Sequence, residues 1–536
     1  MAGKQTVQEI LDSIPLKYRG PGGAIAVVKD GELIGQRVWG YADIDKRIPL
    51  TPEIRMPICS ITKQFVCALL MDLKRNPTPE MTAKGDVQAQ FSEALRELVR
   101  PELTQDSGLT LDNLCDMQSG LRDYWAMTAL WGTKPDDEFL VERDCPPMVD
   151  RTKSFHFKPG TEFSYCNVNF YLVARVIERV AGESLGKLLA ERILGPAGME
   201  TAFLCPDNAK LPTPCVGYEG TEELGFVPAV NRMEWSGDAG LVASLTDMIA
   251  WEKHLDSLFS DSKSWYHKVT KGTTYSDGTP AHYHNGLSSI SLGGVDNWGH
   301  GGALRGYRLH RRHAMHERLS VVALFNHEAE ASSAVEDIMR AILNKPKPVY
   351  TPVEANPAWL GSFLDRDTQL LVTISKGPAT GELHIAYSGD PETIKLTDPT
   401  HGENLDVSAS IDGDVLYMNR IGDNRKLVAQ RLVPSESSFK DNSLRGDYKS
   451  AEVDSFFHCE GEAGMLYGAL DGFLGQGTIT AMKYIGDDVW VLRCPRGLDA
   501  PAPGDWTMAF HRDNNGSIIG FKIGCWLARG VNFVKV

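Results

Sequence analysis

The stretch Met56-Pro57-Ile58-Cys59-Ser60-Ile61-Thr62-Lys63-Gln64-Phe65 carries Ser-x-x-Lys directly ahead of the apolar run Val66-Cys67-Ala68-Leu69-Leu70-Met71. A helix beginning at or just after Ser60 sets Lys63 one turn later on the same face, with its amine beside the serine hydroxyl. The same helix start offers unpaired backbone N–H groups and the positive end of the helix dipole to developing negative charge. Nucleophile, amine and half of an oxyanion site thus come from four residues. Ser-x-x-Lys alone is a weak signal in a chain of 536 residues. The reading therefore turns on whether the rest of the chain supplies partners.

Two stretches qualify. Tyr165-Cys166-Asn167 follows Pro159-Gly160-Thr161-Glu162-Phe163-Ser164, a turn leading to an exposed edge. A tyrosine there holds a proton near a serine Oγ, and Asn167 offers a donor to a substrate carbonyl. The competing reading is a turn-capping asparagine beside a half-buried tyrosine. The second stretch is Trp298-Gly299-His300-Gly301-Gly302-Ala303-Leu304-Arg305-Gly306. Three glycines around one histidine let a backbone come close to a ligand, which sets His300 apart from the other histidines. Other candidates are weaker. His282-x-His284 has no companion at ligand spacing and reads as a loop, so no metal is expected. Gly472-x-x-Gly475-x-Gly477 lies among strands in the wrong order for a dinucleotide loop and reads as a turn. Arg305, Arg308, Arg311 and Arg312 read as a solvated strand face.

Apolar content of 42% and charged content of 23% are ordinary for a globular protein of roughly two to four domains. A net charge of −15 argues against nucleic-acid or anionic-membrane partners. It reads as solubility, or as a field mildly favouring cationic substrates. The ten cysteines from Cys59 to Cys525 include no Cys-x-x-Cys, the start lacks an apolar signal core, and no apolar run nears a membrane span of ~18–20 residues. The expectation is a cytoplasmic protein with reduced thiols, where the sequon Asn515-Gly516-Ser517 carries no weight. Strand patterns open the first part of the chain (Ala24–Val28, returning from Leu33 to Tyr41) and close it (287–292, 306–312, 319–325), with helices between and a last helix at 334–343. This predicts one domain over 1–345 whose sheet combines both ends of the segment. A Pro-rich hinge at Lys345–Pro352 leads to short alternating strands over 350–434. A second break near Pro434–Asn442 precedes another strand-rich unit over 440–536. The two are similar in size and suggest a tandem pair.

The order Ser60-x-x-Lys63, Tyr165-x-Asn167, His300-x-Gly302 resembles the serine β-lactamase and penicillin-binding-protein superfamily. Ser119-Gly120-Leu121, Leu194–Met199 and Gly240–Ser244 extend the resemblance. The runs Arg55–Phe65, Ser119–Trp125, Gly299–Arg305, Leu498–Trp506 and Gly524–Gly530 are similar to the bacterial D-aminopeptidase family, over nearly the whole chain. The chain departs at residues 72–108, which look longer and are expected to reshape the site rim. The resemblance implies an α/β (α+β) β-lactamase-like catalytic domain with an antiparallel sheet flanked by helices, followed by two small antiparallel β-barrels. It implies Ser60 as the acylated nucleophile, with Lys63 or Tyr165 as base and Tyr165 as donor to the leaving amine. The Ser60 N–H and one from strand 301–304, in the Gly301-Gly302 segment, would form the oxyanion hole. His300 stands where penicillin-recognising relatives usually carry lysine; a neutral imidazole there favours amides, esters and short peptides over substrates recognised by a carboxylate. Asn167 would contact substrate, Cys59 would shape the side-chain pocket, and Asp499, in a loop over 495–505 reaching the active site from the last barrel, would bind the substrate ammonium. The implied activity is release of N-terminal D-residues from short peptides, amides or esters, without a cofactor, by a chain forming a homodimer. A broader esterase or amidase and a non-catalytic binding protein on the same fold are the alternatives.

Overall fold

Asp30 and Gly31 both take positive φ, 54° and 78°, the two-residue turn that matches the twist of a hairpin. It joins β1 (Gly22–Lys29) to β2 (Glu32–Asp43). Four later strands complete the sheet: β3 (Leu287–Leu292), β4 (Val295–Leu304), β5 (Tyr307–Ala314) and β6 (Leu319–Phe325). The order is β3-β4-β5-β6-β1-β2, with the two-residue strands Tyr283–His284 and Ile48–Pro49 at its ends. β1 pairs with β6 from Gly23↔Phe325 to Lys29↔Leu319. The strands that open and close the segment are therefore neighbours, as the pattern predicts. The computed structural model describes residues 5–105, 107–462, 464–494, 496–498 and 504–536.

Six helices position the site: α1 (Val7–Lys17), α2 (Thr62–Arg75), α3 (Val87–Leu98), α4 (Asn167–Ala181), α5 (Leu245–Ser260) and α6 (Ala331–Leu343). α1 and α6 cover one face of the sheet, burying Leu11, Ile14, Val335 and Ile338 against Ile25, Val27, Val321 and Ala323. α2, α4 and α5 fill the other face with Phe65, Leu69, Val173 and Trp251. Ser244 caps α5 and Asp247 reciprocates, forming a capping box. Among the described residues no helix is long and apolar enough to cross a membrane.

Past Lys345 the architecture is strands. Eight antiparallel strands, from Gly361–Asp365 to Arg425–Arg431, close on themselves through pairs such as Phe363↔Arg431. Their alternation sends Phe363, Val372, Ile374, Leu383 and Ile385 into a separate core. A second ring runs from Gly446–Ser450 to Ala528–Lys535 and closes where Ser455–Glu462 pairs with Met465–Gly472. Its interior is continuous with the core that α2, α4 and α5 build. Trp131 Nε1 donates to the Val453 carbonyl at 3.1 Å, and its ring meets Phe473 edge-on with centroids 5.2 Å apart. A Cβ on Gly472 would sit 2.7 Å from Trp131 Cα. The glycine-rich run read as a turn is one, and Gly472 lets the barrel backbone lie on the segment around Trp131.

Candidate active site

Met56 and Pro57 pair with Ala243 and Val242, and Ile58 N donates to the Leu241 carbonyl at 2.9 Å. This short ladder pins the chain just before it turns. Cys59 then takes φ 53°, a left-handed conformation that costs a non-glycine residue energy. One turn of 3₁₀ helix over Cys59–Ile61 runs into α2. Ser60 is half-buried at its mouth, while Cys59, Ile61 and the first two turns of α2 are buried.

Lys63 has no exposed surface. Its Nζ lies 3.0 Å from Ser60 Oγ, 2.8 Å from Asn167 Oδ1 and 2.7 Å from the Asp238 carbonyl. Burial drives its pKa down to about 8, against the pull of Asp238 and Asp123, whose charges favour the ammonium. Asp123 accepts from the backbone N–H and the side-chain amide of Asn167, at 2.8 and 3.0 Å. Burial lifts its pKa to about 7, opposed by the Asn167 hydrogen bonds and by Lys63. Asp238, also raised by burial, accepts from Tyr124 Oη at 2.6 Å and from Ser236 N at 2.8 Å. Tyr165 hydrogen-bonds Ser60, and its ring centroid lies 4.9 Å from the Lys63 amine. Burial pushes the phenol well above its ordinary value. Ser60 Oγ thus sits between an amine that gives up its proton easily and a phenol that keeps its own.

His300 stands behind this group. Nδ1 lies 2.5 Å from the Gly301 carbonyl and Nε2 lies 2.9 Å from Tyr283 Oη. A carbonyl only accepts, so Nδ1 carries the hydrogen and Tyr283 donates to Nε2. Burial, then the Lys63 charge, lowers its pKa to about 3. The imidazole is therefore neutral at any ordinary pH. Gly302 brings β4 against the nucleophile turn: a Cβ there would lie 2.4 Å from the Ile58 carbonyl. β3 stops pairing with β4 at Ser288↔Gly299, so on that side β4 from His300 to Leu304 is a free edge.

That edge and Ser60 line a cavity of about 870 Å³, the size that takes a small ligand. Trp125, Tyr165 and His282 add to its wall. The first barrel contributes Tyr387, Asp390, Asp406 and Asp423, and the second contributes Trp526 and Leu527. The barrels are tied to the site itself. Asp123 N donates to the Leu527 carbonyl at 3.1 Å, Phe163 N to the Asp423 carbonyl at 3.0 Å, and Asn424 Nδ2 to the Thr161 carbonyl at 3.0 Å.

Residues 4–344 match the sequence profile of the family Beta-lactamase, and residues 352–534 match D-aminopeptidase, domain B. Over 531 residues, 99% of each chain, the sequence is 41% identical to the D-aminopeptidase of Brucella canis. It is also 41% identical to that of Brucella anthropi over 530 residues, 99% of this chain and 98% of the other. The chain belongs to the D-aminopeptidase family. Two solved structures share its fold. The octameric penicillin-binding protein homologue from Pyrococcus abyssi has a TM-score of 0.52 at 18% identity, covering 79% of this chain and 99% of its own. SurE has 0.51 at 19%, covering 80% and 98%.

Within this family member, Ser60, Lys63, Tyr165, Asn167, His300, Gly301 and Gly302 come together from segments up to 242 positions apart, as Ser60 and Gly302 show. Several expectations change. Cys59 is not among the residues lining the cavity; its thiol is buried and donates to the Pro57 carbonyl at 3.3 Å. None of the described residues in 72–108 lines the cavity, because α3 packs Phe91 and Leu95 onto α4 behind the site. The arginine row is no solvated face. Arg305, Arg311 and Arg312 are 3%, 0% and 7% exposed: Arg305 holds Glu219, Arg311 lies under α5 on Glu252, and Arg312 lies against Ser288 of β3. Asp499 lies outside the described residues; near it, Leu498 is buried, Arg496 Nη2 donates to Asp136 Oδ1 at 3.1 Å, and Gly504 passes close to Ser388. Sequence reasoning missed Asp123, Asp238 and Tyr283. Two sat in stretches noticed for another reason, Asp123 in Ser119–Trp125 and Tyr283 in His282-x-His284, and Asp238 lies just ahead of Gly240–Ser244.

Proposed function

We propose that the protein is a serine hydrolase that acylates Ser60 and releases N-terminal D-amino acids from short peptides, amides or esters. One observation carries this: Ser60 Oγ is held between a buried, easily deprotonated Lys63 and a protonated Tyr165, on the wall of a cavity reached by both barrels. The D-preference follows the names of the full-length relatives.

Neutral Lys63 takes the Ser60 proton as Oγ attacks the substrate carbonyl, a base contribution of roughly 10²–10⁴-fold. The Ser60 N–H and one from strand 301–304 hold the oxyanion, where a single donor is worth about 10²–10³-fold. Tyr165 relays the proton to the leaving amine. Water then hydrolyses the acyl-enzyme by the reverse path. Asn167 fixes Lys63 through its carbonyl and is itself fixed by Asp123. His300 acts through Tyr283 and β4, bringing no charge. Asp499 receives the substrate ammonium from a loop whose described ends run beside Asp136 and Ser388.

The same reading divides the chain into 1–345, 350–434 and 440–536 and has it work as a homodimer in the cytoplasm. All ten cysteines, which lie among the described residues, are free thiols, in keeping with a reducing compartment. Initial rates on D- and L-alanine p-nitroanilide, beside Ser60→Ala, test the function. A strong D-preference abolished by Ser60→Ala is expected; equal rates on both enantiomers would sink the D-specific reading.

A further inference from the structure

Five arginines are buried among the described residues. Arg305, Arg311, Arg420 and Arg529 each hold a carboxylate at 2.5–3.0 Å. Arg312 has none within 4.0 Å among the described residues. Its contacts are all neutral and long: Nη1 donates to the Ser288 carbonyl at 3.3 Å and to Asn297 Oδ1 at 3.2 Å, and Nη2 to Ser288 Oγ at 3.4 Å. Two of the five guanidinium N–H groups thus have no partner among the described residues. Burial and neighbouring Arg311 lower its pKa to about 10, which leaves it charged at neutral pH. Glu336 and Asp406 act on it only from beyond ion-pair distance. A buried cation with neutral partners is costly and is retained where something else supplies the countercharge.

Its place says what that is. Arg312 lies opposite Gly299 in the β4–β5 register. A Cβ on Gly299 would meet Arg312 Cγ at 2.5 Å, so the glycine lets the side chain lie across the strand toward Ser288. Ser288↔Gly299 is the last β3–β4 pair before the free edge begins. The guanidinium therefore sits where the ladder ends and the cavity opens, three residues from Gly302, or about 10 Å along the strand. Arg312, Ser288 and Ser60 line the same cavity. An extended leaving group of one to three residues, laid along this edge from the acylation point, brings its end to the arginine.

We propose that Arg312 recognises the C-terminal carboxylate of the leaving group, so that the preferred substrates are free short peptides ahead of simple amides and esters. This rests on the hydrolase reading above and names its substrate class. The permanent positive charge absent at His300 is supplied from the neighbouring strand, with bidentate carboxylate geometry available to the guanidinium.

Hydrolysis of D-alanyl-glycyl-glycine is compared with that of its C-terminal amide, in the wild type, Arg312→Gln and Arg312→Lys. The wild type should favour the free acid in kcat/KM. Arg312→Gln should lose roughly ten- to hundredfold on the acid, the worth of a charged hydrogen bond, and much less on the amide. Arg312→Lys, which keeps charge and fold, should retain part of the preference. A wild type indifferent to the carboxylate, or Arg312→Gln losing equally on both peptides, would overturn the proposal. Calorimetric titration of Ser60→Ala with the same peptides reads recognition without turnover. Tighter binding of the acid, lost in Ser60→Ala/Arg312→Gln, supports Arg312 even if wild type cleaves neither peptide, which would defeat the hydrolase reading alone. Equal binding, or binding of neither, contradicts the assignment.

Discussion

Lys63 sits near two buried acids and still releases its proton near pH 8, because burial outweighs Asp238 and Asp123. In the proposed mechanism only the neutral amine accepts the Ser60 proton, so kcat/KM should rise with pH through about 8 and level off above it. Asp123, with a pKa of about 7, is anionic over most of that rise and helps hold the Lys63 proton. Asp123→Asn removes that charge while keeping an acceptor for the Asn167 N–H. The acidic limb of the kcat/KM profile should then move to lower pH, by about one unit. A limb that stays put or moves up removes Asp123 from the proton balance. At this scale the sequence is legible only where chemistry is local. Ser60 and Lys63 are one helical turn apart, so their contact follows from spacing. The acids that tune Lys63 arrive from positions 123 and 238, and no spacing announces that Asp123 bonds Asn167. The arginines were misread for a related reason: their charges suggest water, and what buries them, such as Glu252 on α5 for Arg311 and Ser288 on β3 for Arg312, comes from elsewhere in the chain.

β4 shows how one motif serves three neighbours. Gly299 leaves room for Arg312, a Cβ on Gly301 would lie 2.9 Å from the His310 ring, and a Cβ on Gly302 would lie 2.4 Å from the Ile58 carbonyl. The glycine run marked a close backbone approach in the sequence; which neighbour each glycine admits depends on the β4–β5 register and on the nucleophile turn. Gly302→Ala tests the approach to the turn that carries Ser60, since backbone cannot swing away as a side chain does. β4 must retreat from Ser60 by a few tenths of an ångström or more, disturbing the oxyanion geometry. The expected result is a fall of roughly 10²-fold in kcat/KM with a stability loss of about 1–3 kcal/mol, read from kinetics and thermal unfolding of the same sample. Undiminished kcat/KM would detach β4 from the oxyanion site. The β-barrels were legible as alternating strands between turns. Ring closure was not, because it depends on pairs distant in sequence, such as Phe363↔Arg431.

The whole molecule is arranged around access to one serine. The first barrel keeps its own core, while the second shares the catalytic core and sends the turn at Trp526–Leu527 to the cavity. The family resemblance implied that the last barrel reaches the site; the share taken by the first barrel, through Asp390, Asp406 and Asp423, was invisible because turn residues look alike wherever they point. The ammonium role proposed for Asp499 belongs at this scale, because it has the second barrel act on a substrate held by the first domain. Asp499→Asn should raise KM for free-amine substrates several-fold more than for N-acylated ones, by the loss of a charged partner. An unchanged ratio returns Asp499 to the surface. The central claim, acylation of Ser60 by a D-residue, is tested most directly by quenching the enzyme in acid during turnover of D-alanine p-nitroanilide and locating the adduct by peptide mass spectrometry. A D-alanyl group on the peptide containing Ser60, absent with the L-substrate and in Ser60→Ala, is the predicted result. An adduct on another residue, or turnover persisting in Ser60→Ala, would contradict it.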